Sequence, residues 1–276
     1  MKTSWERKLR MVWEIKKDGC MNFLVGTAHF FPHSFRRSLT HLINKANVVL
    51  FEGPLDESNM DAVREYGLAV QNDTSLYDAL DKKTVAELNK ELGGGLEFTE
   101  CSLVSYMHIF KLENKDLLSW EIQGLRPWMA FFQLWSRYLV KRGWKYSVDL
   151  EALSIARELG KKVVFLETIV EQLRALDGIP FERIVNYVNN FKDWEKFSRH
   201  HRKQYLRGSL DGLLNIVTEF PTRCPSIIEN RDPVFFERMR PYIAEGGAAI
   251  FLGTTHIRGV IKMLEQEGFR ITQYRQ

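Results

Sequence analysis

The sequence predicts an α/β fold with a mixed, mainly parallel central sheet flanked by helices and a large helical insertion. Three observations carry that expectation. Apolar runs of strand composition alternate with segments of helical periodicity, the pattern of parallel βαβ construction. One short phrase, an apolar run followed by Gly-Thr, a small residue and a histidine, occurs near both ends: "FLVGTAH" from Phe23 to His29 and "IFLGTTH" from Ile250 to His256. Between about Pro54 and Trp144, by contrast, helix-like segments follow one another with no comparable β signal. A length of 276 residues and a hydrophobic content of 45% suit one domain spanning residues 1–276 with a sizeable core.

Taken in order, "VWEI", "KKDG" and "CMNFLVG" read as a hairpin feeding a strand buried on both faces, because the last run is almost continuously apolar. After "TAHFFPH", Ser34 is a good N-cap for the helix "SFRRSLTHLINKA". "NVVLFEG" is a second buried strand ending at Glu52. The insertion, about 54–144, contains "MDAVREYGLAV", "TSLYDAL", "KKTVAELNKELG", "SLVSYMHIFKL" and "RPWMAFFQLWSRYLVKRG". The α/β pattern resumes with "SVDLEALSIARELG", a helix capped at Ser147 or Asp149 with Gly160 as its C′ residue, and with the strand "KKVVFLE" ending at Glu167. Helices fill the stretch from about Thr168 to Ala244, interrupted at Gly178-Ile179-Pro180 and "PTRCP". "AAIFLG", a helix stopped by Gly268, and the strand "RITQY" close the chain.

A net charge of +4, from 39 Lys and Arg against 35 Asp and Glu spread along the chain, argues against nucleic acid as a partner. The basic cluster "RHHRKQYLR" reads as the solvated face of a helix. The N-terminus lacks the apolar segment of roughly 7 to 15 residues that a signal peptide needs, and no stretch approaches the ~18 apolar residues of a membrane span. Cys20, Cys101 and Cys224 are odd in number, widely spaced and outside any metal-binding pattern, which suits buried thiols in a reducing compartment. The expected location is cytoplasmic.

Parallel strands with right-handed crossovers bring their carboxyl ends to one edge, where ligands bind. Four strands here finish on chemically capable groups, His29, Glu52, Glu167 and His256. A carboxylate at a buried strand end needs a partner, which a metal, an arginine or a helix N-terminus can supply. Arg231, just before a helix, offers a guanidinium for a carboxylate or a developing oxyanion. His33 is a weaker candidate, since Pro32 keeps it off a shared helix face with His29. His41, His108, His200 and His201 read as structural or solvated, and Trp128, Phe131, Phe132 and Trp135, at helical spacing, as core. No GxGxxG, P-loop, HExxH, GxSxG or CxxC is present.

These residues resemble the TraB/GumN family, which includes the TIKI metalloproteases and is related to the erythromycin esterase-like superfamily. The likeness rests on "FLVGTAHFFPHSF", "VVLFEGPLD", "VDLEALSIARELGKKVVFLETIVEQLRALD", "NRDPVFFERMRPYI" and "IFLGTTHIRGVIKMLEQEGFRI". It implies that the paired GxxH histidines are His29 and His256, that Glu52 and Glu167 are the family's acidic residues, and that Arg231 is its late arginine. The asparagine common after that arginine is Asp232 here. The expectation that follows is a metal-dependent hydrolase of peptide or amide bonds. His29, His256 and Glu52 would hold a divalent ion, zinc, manganese, cobalt or iron, with Glu167 as the base and Arg231 on the oxyanion. The two glutamates can exchange roles in that scheme. A metal-free esterase-like hydrolase with a histidine base, and a non-catalytic protein that binds a peptide or haem, are the alternatives. The expected partner is a peptide or small-molecule substrate.

Overall fold

A computed structural model describes residues 7–54, 59–70, 74–93, 117–215 and 219–275. Its centre is a six-stranded sheet in the order β4-β3-β5-β2-β1-β6. The strands are β1 (Val12–Lys17), β2 (Cys20–Thr27), β3 (Val48–Phe51), β4 (Lys162–Phe165), β5 (Ala248–Gly253) and β6 (Arg270–Gln273). β2, β5, β3 and β4 pair in parallel, and β1 is antiparallel to both β2 and β6. The sheet is therefore mixed and mainly parallel, as expected.

Local chemistry explains each piece. Asp18 and Gly19 have φ of 49° and 80°, the paired positive angles of a tight hairpin turn, which Asp-Gly supplies with least strain. β2 from Asn22 onward, β3 and β5 are buried throughout, so their sequences are apolar without alternation. One polar exception is Asn22, whose side chain is wholly buried with both its oxygen and its nitrogen bonded. It donates to the Ile243 carbonyl at 3.0 Å and accepts from the Ala248 N–H at 2.9 Å, pinning the start of β5.

The first crossover is α1 (Arg36–Lys45). It starts one residue later than its expected cap. Phe35 holds the cap position, while Ser34 Oγ accepts from the Arg36 N–H at 3.2 Å. The insertion supplies α2 (Met60–Gly67), α3 (Leu76–Ala79), α4 (Lys82–Leu92), α5 (Leu117–Ile122) and α6 (Pro127–Lys141). Trp128 and Phe131 of α6 are buried, and Phe132 and Trp135 pack against the same core. The expected helix "SLVSYMHIFKL", with His108, and also Cys101 lie outside the described residues.

The second half runs through α7 (Val148–Glu158), α8 (Ile169–Asp177), α9 (Phe181–Asn189), α10 (Trp194–Arg207), α11 (Leu210–Leu214), α12 (Asp232–Glu245) and α13 (Thr254–Gln266). Ser147, not Asp149, caps α7 by accepting from the Leu150 N–H, and Gly160 beyond its end has φ of 60°. Thr168 and Glu171 form a reciprocal capping box on α8. Among the described residues no helix is long and apolar enough to cross a membrane.

Candidate active site

The carboxyl ends of β2, β3, β4 and β5 meet around Arg231. Arg231 sits at the N-cap of α12 and points its planar fork back at the sheet. Nε donates to Glu167 Oε2 at 3.0 Å, and Nη2 donates to Glu167 Oε1 at 2.5 Å and to Glu52 Oε2 at 3.0 Å. Glu52, one residue past β3, turns its other oxygen to the N-terminus of α13, where it accepts from the Gly253 N–H. Glu167 is held beside it by its own backbone N–H, which donates to the Glu52 carbonyl at 2.7 Å.

His256 completes the buried cluster. Nη1 of Arg231 lies 3.3 Å from His256 Nε2, and His256 Nδ1 lies 2.6 Å from Asp232 Oδ1. A guanidinium can only donate, so in the neutral ring Nε2 accepts and Nδ1 carries the proton that goes to Asp232, while a protonated ring places its charge 3.7 Å from Glu52 Oε1. Phe235, one turn along α12, presents its ring to both: His256 meets it edge-on at 5.1 Å and the guanidinium lies over it at 4.9 Å. Asp232 in turn lies against the bare backbone of Gly259, where an added Cβ would fall 1.9 Å from Asp232 Oδ2.

The charges are not equivalent. Burial alone would push the Glu52 carboxyl up, yet His256, Arg231, His29 and the Gly253 N–H overcome it and hold Glu52 at about 2. Burial prevails at Glu167, whose carboxyl is raised; Arg231 opposes the rise and the Glu52 charge adds to it. One cation is thus shared unequally, with Glu52 firmly ionised and Glu167 nearer to taking a proton. Burial also raises the Asp232 carboxyl against the pull of His256.

His29 stands apart in one respect. Its side chain is 56% exposed, while its partner Asp149, 3.0 Å from Nδ1, is 5% exposed. The loop after β2 reaches Asp149 because the Ala28 carbonyl accepts from the Val148 N–H at 3.1 Å, setting the first turn of α7 beneath the histidine. Burial around the ring works against its charge, but the charge of Asp149 and then that of Glu52 raise the imidazole to about 9. Solvent at the open face screens part of that rise.

The profile of the TraB/PrgY/gumN family matches residues 11–273. The chain belongs to that family. Among curated proteins none matches it. The matched span runs from the residue before β1 to the last residue of β6, so this TraB/PrgY/gumN protein carries its whole sheet and cluster inside the family region.

The repeated phrase of this TraB/PrgY/gumN chain does form parallel neighbours, but not twin histidines. The register pairs Gly26 with Leu252 and Thr27 with Gly253, one residue out of step with the sequence repeat. Successive strand residues face opposite ways, so a one-residue offset sends equivalent positions apart. His256 falls in the first turn of α13 and is buried against α12, whereas His29 stays in a loop and faces solvent. Both bear on Glu52.

The same geometry bears on the expected ion at His29, His256 and Glu52. Both carboxylate oxygens of Glu52 and both ring nitrogens of His256 already face partners within the protein. A divalent ion there would have to displace Arg231, itself a cation. Among the described residues no three His, Cys, Asp or Glu side chains form a group that could hold an ion. In this arrangement the donor set does not fit a metal.

Three further histidines, His41, His200 and His201, have structural surroundings. His41 Nε2 is 3.4 Å from Tyr274 Oη, His200 Nε2 is 2.9 Å from the Gly212 carbonyl, and His201 packs among Phe31, Trp144 and Tyr205. Sequence reasoning missed the roles of Asp149 and Asp232. Each stands at a helix start, where an acidic residue reads as a cap or dipole partner. Gly259, three residues after His256 inside a helical pattern, was the available signal of close packing.

Proposed function

We propose that this TraB/PrgY/gumN protein is a hydrolase of a peptide, amide or ester bond that runs its proton transfers on His29 without a bound ion. The supporting observation is the contrast in exposure: His29 opens to solvent, whereas its orienting carboxylate Asp149 and the charge cluster behind it are buried. The Asp149 charge, 3.0 Å from Nδ1, favours the proton on that nitrogen and leaves Nε2 for substrate. In its neutral form, which prevails only above about pH 9 so that activity rises toward that pH, His29 takes a proton from water as the water oxygen bonds to the carbonyl carbon. It then gives that proton to the departing amine or alcohol as the carbon–heteroatom bond breaks. The Glu52–Arg231–Glu167 cluster, with His256 and Asp232, holds the strand ends in register and sets the field at His29.

Hydrolysis of short peptide, amide and ester probes by wild type and His29→Ala tests the reading, with and without prolonged chelation and with elemental analysis of the purified protein. Turnover that survives chelation and disappears with His29→Ala supports it. Turnover lost on chelation and restored by zinc, manganese, cobalt or iron refutes it in favour of an ion-dependent site. A Soret band without turnover points instead to a haem-binding protein.

A further inference from the structure

The cations of the chain are spread along its sequence, but their excess is not. Residues 192–207 hold six Lys and Arg against two acidic residues, a net +4, which equals the net charge of the whole chain. The rest of the protein is electrically balanced, and the surplus lies on one helix. α10 packs inward through Trp194, Ser198 and Tyr205, all buried, and the Tyr205 hydroxyl donates to the Gly26 carbonyl at 2.7 Å. Lys196, Arg199, Lys203 and Arg207 recur at the same three- and four-residue steps on the opposite face, and all four are exposed. Lys192, in the single turn Phe191–Asp193 before the helix, extends the row at one end. Arg10, also exposed, begins where the other end stops, since an added Cβ on Gly208 would fall 3.0 Å from Arg10 Cβ.

Such a row works against the helix that carries it. Neighbouring members stand about 5–6 Å apart, and like charges at that spacing are destabilising. Arg207, in the last turn, is the one that the helix dipole favours. Elsewhere exposed charges alternate in sign: Arg240 of α12 pairs with Glu237, and Arg238 with Glu171 of α8. On α10 Glu195 bonds Arg199, and Lys192 reaches Glu87 of α4 at 2.9 Å. Even so the side chains of Lys192 and Arg199 are 66% and 73% exposed, which leaves both open to a second acid. Between Lys192, Glu195, Lys196, Arg199, His200 and Lys203 lies an open groove of ≈ 400 Å³.

We propose that this face of α10 is a docking surface for an acidic helical segment of a partner protein. Spacing and composition identify the occupant. Carboxylates at three- and four-residue steps on a second helix stand the same ~5–6 Å apart, so the two rows match charge for charge over about 17 Å, the rise from Lys196 to Arg207. Glu195 stands at the edge of the row, where a continuous polyanion such as a nucleic-acid backbone meets a like charge and a peptide can place a neutral residue. Single-stranded nucleic acid also stacks its bases on exposed aromatic rings, and Trp194, Phe197 and Tyr205 of α10 pack into the core instead. A helix that seats in a membrane surface needs large apolar side chains beside its cations. Among the described residues those that are exposed, such as Leu68 and Val170, lie on other elements. The docking surface does not rest on the hydrolase reading.

Fluorescence anisotropy of a labelled alanine-based peptide about 18 residues long, its glutamates at alternating four- and three-residue steps, tests the surface on the full-length protein. Saturable binding that weakens as salt is raised is expected, with a shuffled peptide of the same composition binding about fivefold more weakly. Lys196→Gln and Lys203→Gln are each expected to weaken binding about threefold, and Lys196→Arg, which keeps the charge, to bind as wild type. Glu195→Gln, which releases Arg199, is expected to tighten binding about twofold. Lys262→Gln, at an exposed lysine of α13, is expected to leave it unchanged. Because these positions are exposed, thermal midpoints close to that of wild type are expected alongside. Equal binding of the shuffled peptide, or equal weakening by Lys262→Gln, overturns the docking surface. Tighter binding of a DNA oligonucleotide or of phosphatidylglycerol vesicles overturns it in favour of nucleic acid or a membrane. Binding that never saturates at low salt overturns it outright.

Discussion

Replacing Arg231 by methionine leaves a side chain of similar reach in place and removes the cation that Glu52 and Glu167 share. Holding Glu52 at about 2 instead of its ordinary 4.5 corresponds, at ~1.4 kcal/mol per unit, to about 3 kcal/mol of native-state stabilisation. Arg231 supplies part of that, with His256 and His29, but its loss also leaves two carboxylates buried and facing each other. Removing one partner of a buried pair costs about 3–5 kcal/mol, and that is the expected loss at neutral pH. The pH dependence has a definite sign. Because the Glu52 pKa is depressed, its contribution in wild type is present above about 4.5 and lost as pH falls through about 2. In the variant each carboxylate raises the other, so protonation relieves strain and the deficit narrows as pH falls toward about 4. Urea unfolding followed by circular dichroism at neutral pH and near pH 4, with matching slopes, measures both quantities. Arg231→Lys keeps the charge but not the fork and should fall between the two. A loss below about 1 kcal/mol at neutral pH, or one that is the same at both pH values, would refute the account of Arg231 as counter-ion to both glutamates.

Gly259→Ala should lower stability by about 1–3 kcal/mol despite the ~1 kcal/mol that alanine gains in a helix, because the new methyl would fall 1.9 Å from Asp232 Oδ2. Nitrogen NMR of the His256 ring should report the lost Asp232 bond, and an alanine variant as stable as wild type would count against the close approach. Asp149→Asn should let His29 fall from about 9 toward its ordinary 6.5, read by proton NMR titration; a ring that still titrates near 9 rules out Asp149 as the cause. The sign for stability follows: the raised His29 contributes fully below 6.5 and loses that contribution as pH rises through about 9, a modest effect because solvent screens the open face. Tyr205→Phe should cost about 1–2 kcal/mol in thermal or urea unfolding, since its fully buried hydroxyl donates to the Gly26 carbonyl at 2.7 Å.

The sheet was legible because β2, β3 and β5 are apolar runs bounded by Gly or Asp-Gly, and because parallel strands joined by right-handed crossovers leave little choice of edge. That reasoning placed His29, Glu52, Glu167 and His256 at one end of the sheet, where the structure has them. It did not yield the one-residue offset between the two Gly-Thr phrases. Register depends on how β5 seats against both neighbours at once, and the repeat itself invites a Gly-to-Gly alignment. A strand-end carboxylate announces its need for a partner without saying which. Glu52 finds the arginine and the helix N-terminus together, and only coordinates reveal that both its oxygens are thereby committed. Asp149 and Asp232 were hidden for a related reason. Their position at helix starts offers a sufficient local explanation, and the histidine each one holds comes from a distant part of the sequence.

The place of β5 has a consequence for how the chain is made. β5 lies between β3 and β2 at the middle of the sheet, yet it is the last of the four parallel strands in sequence. Until the ribosome has released them, β2 and β3 each present an unpaired inner edge, and the Asn22 amide has neither the Ile243 carbonyl nor the Ala248 N–H to bond. The hairpin of β1 and β2 and the pair of β3 and β4 can form early, but no strand pairing joins the two until β5 enters. Assembly of the site therefore waits until β5 and the start of α13 have been made, since Glu52 needs the Gly253 N–H and Arg231 needs His256. Such long-range closure is slow and leaves apolar edges exposed meanwhile. A nascent chain halted before Ala248 lacks the assembled charge cluster and exposes the apolar edges of β2 and β3.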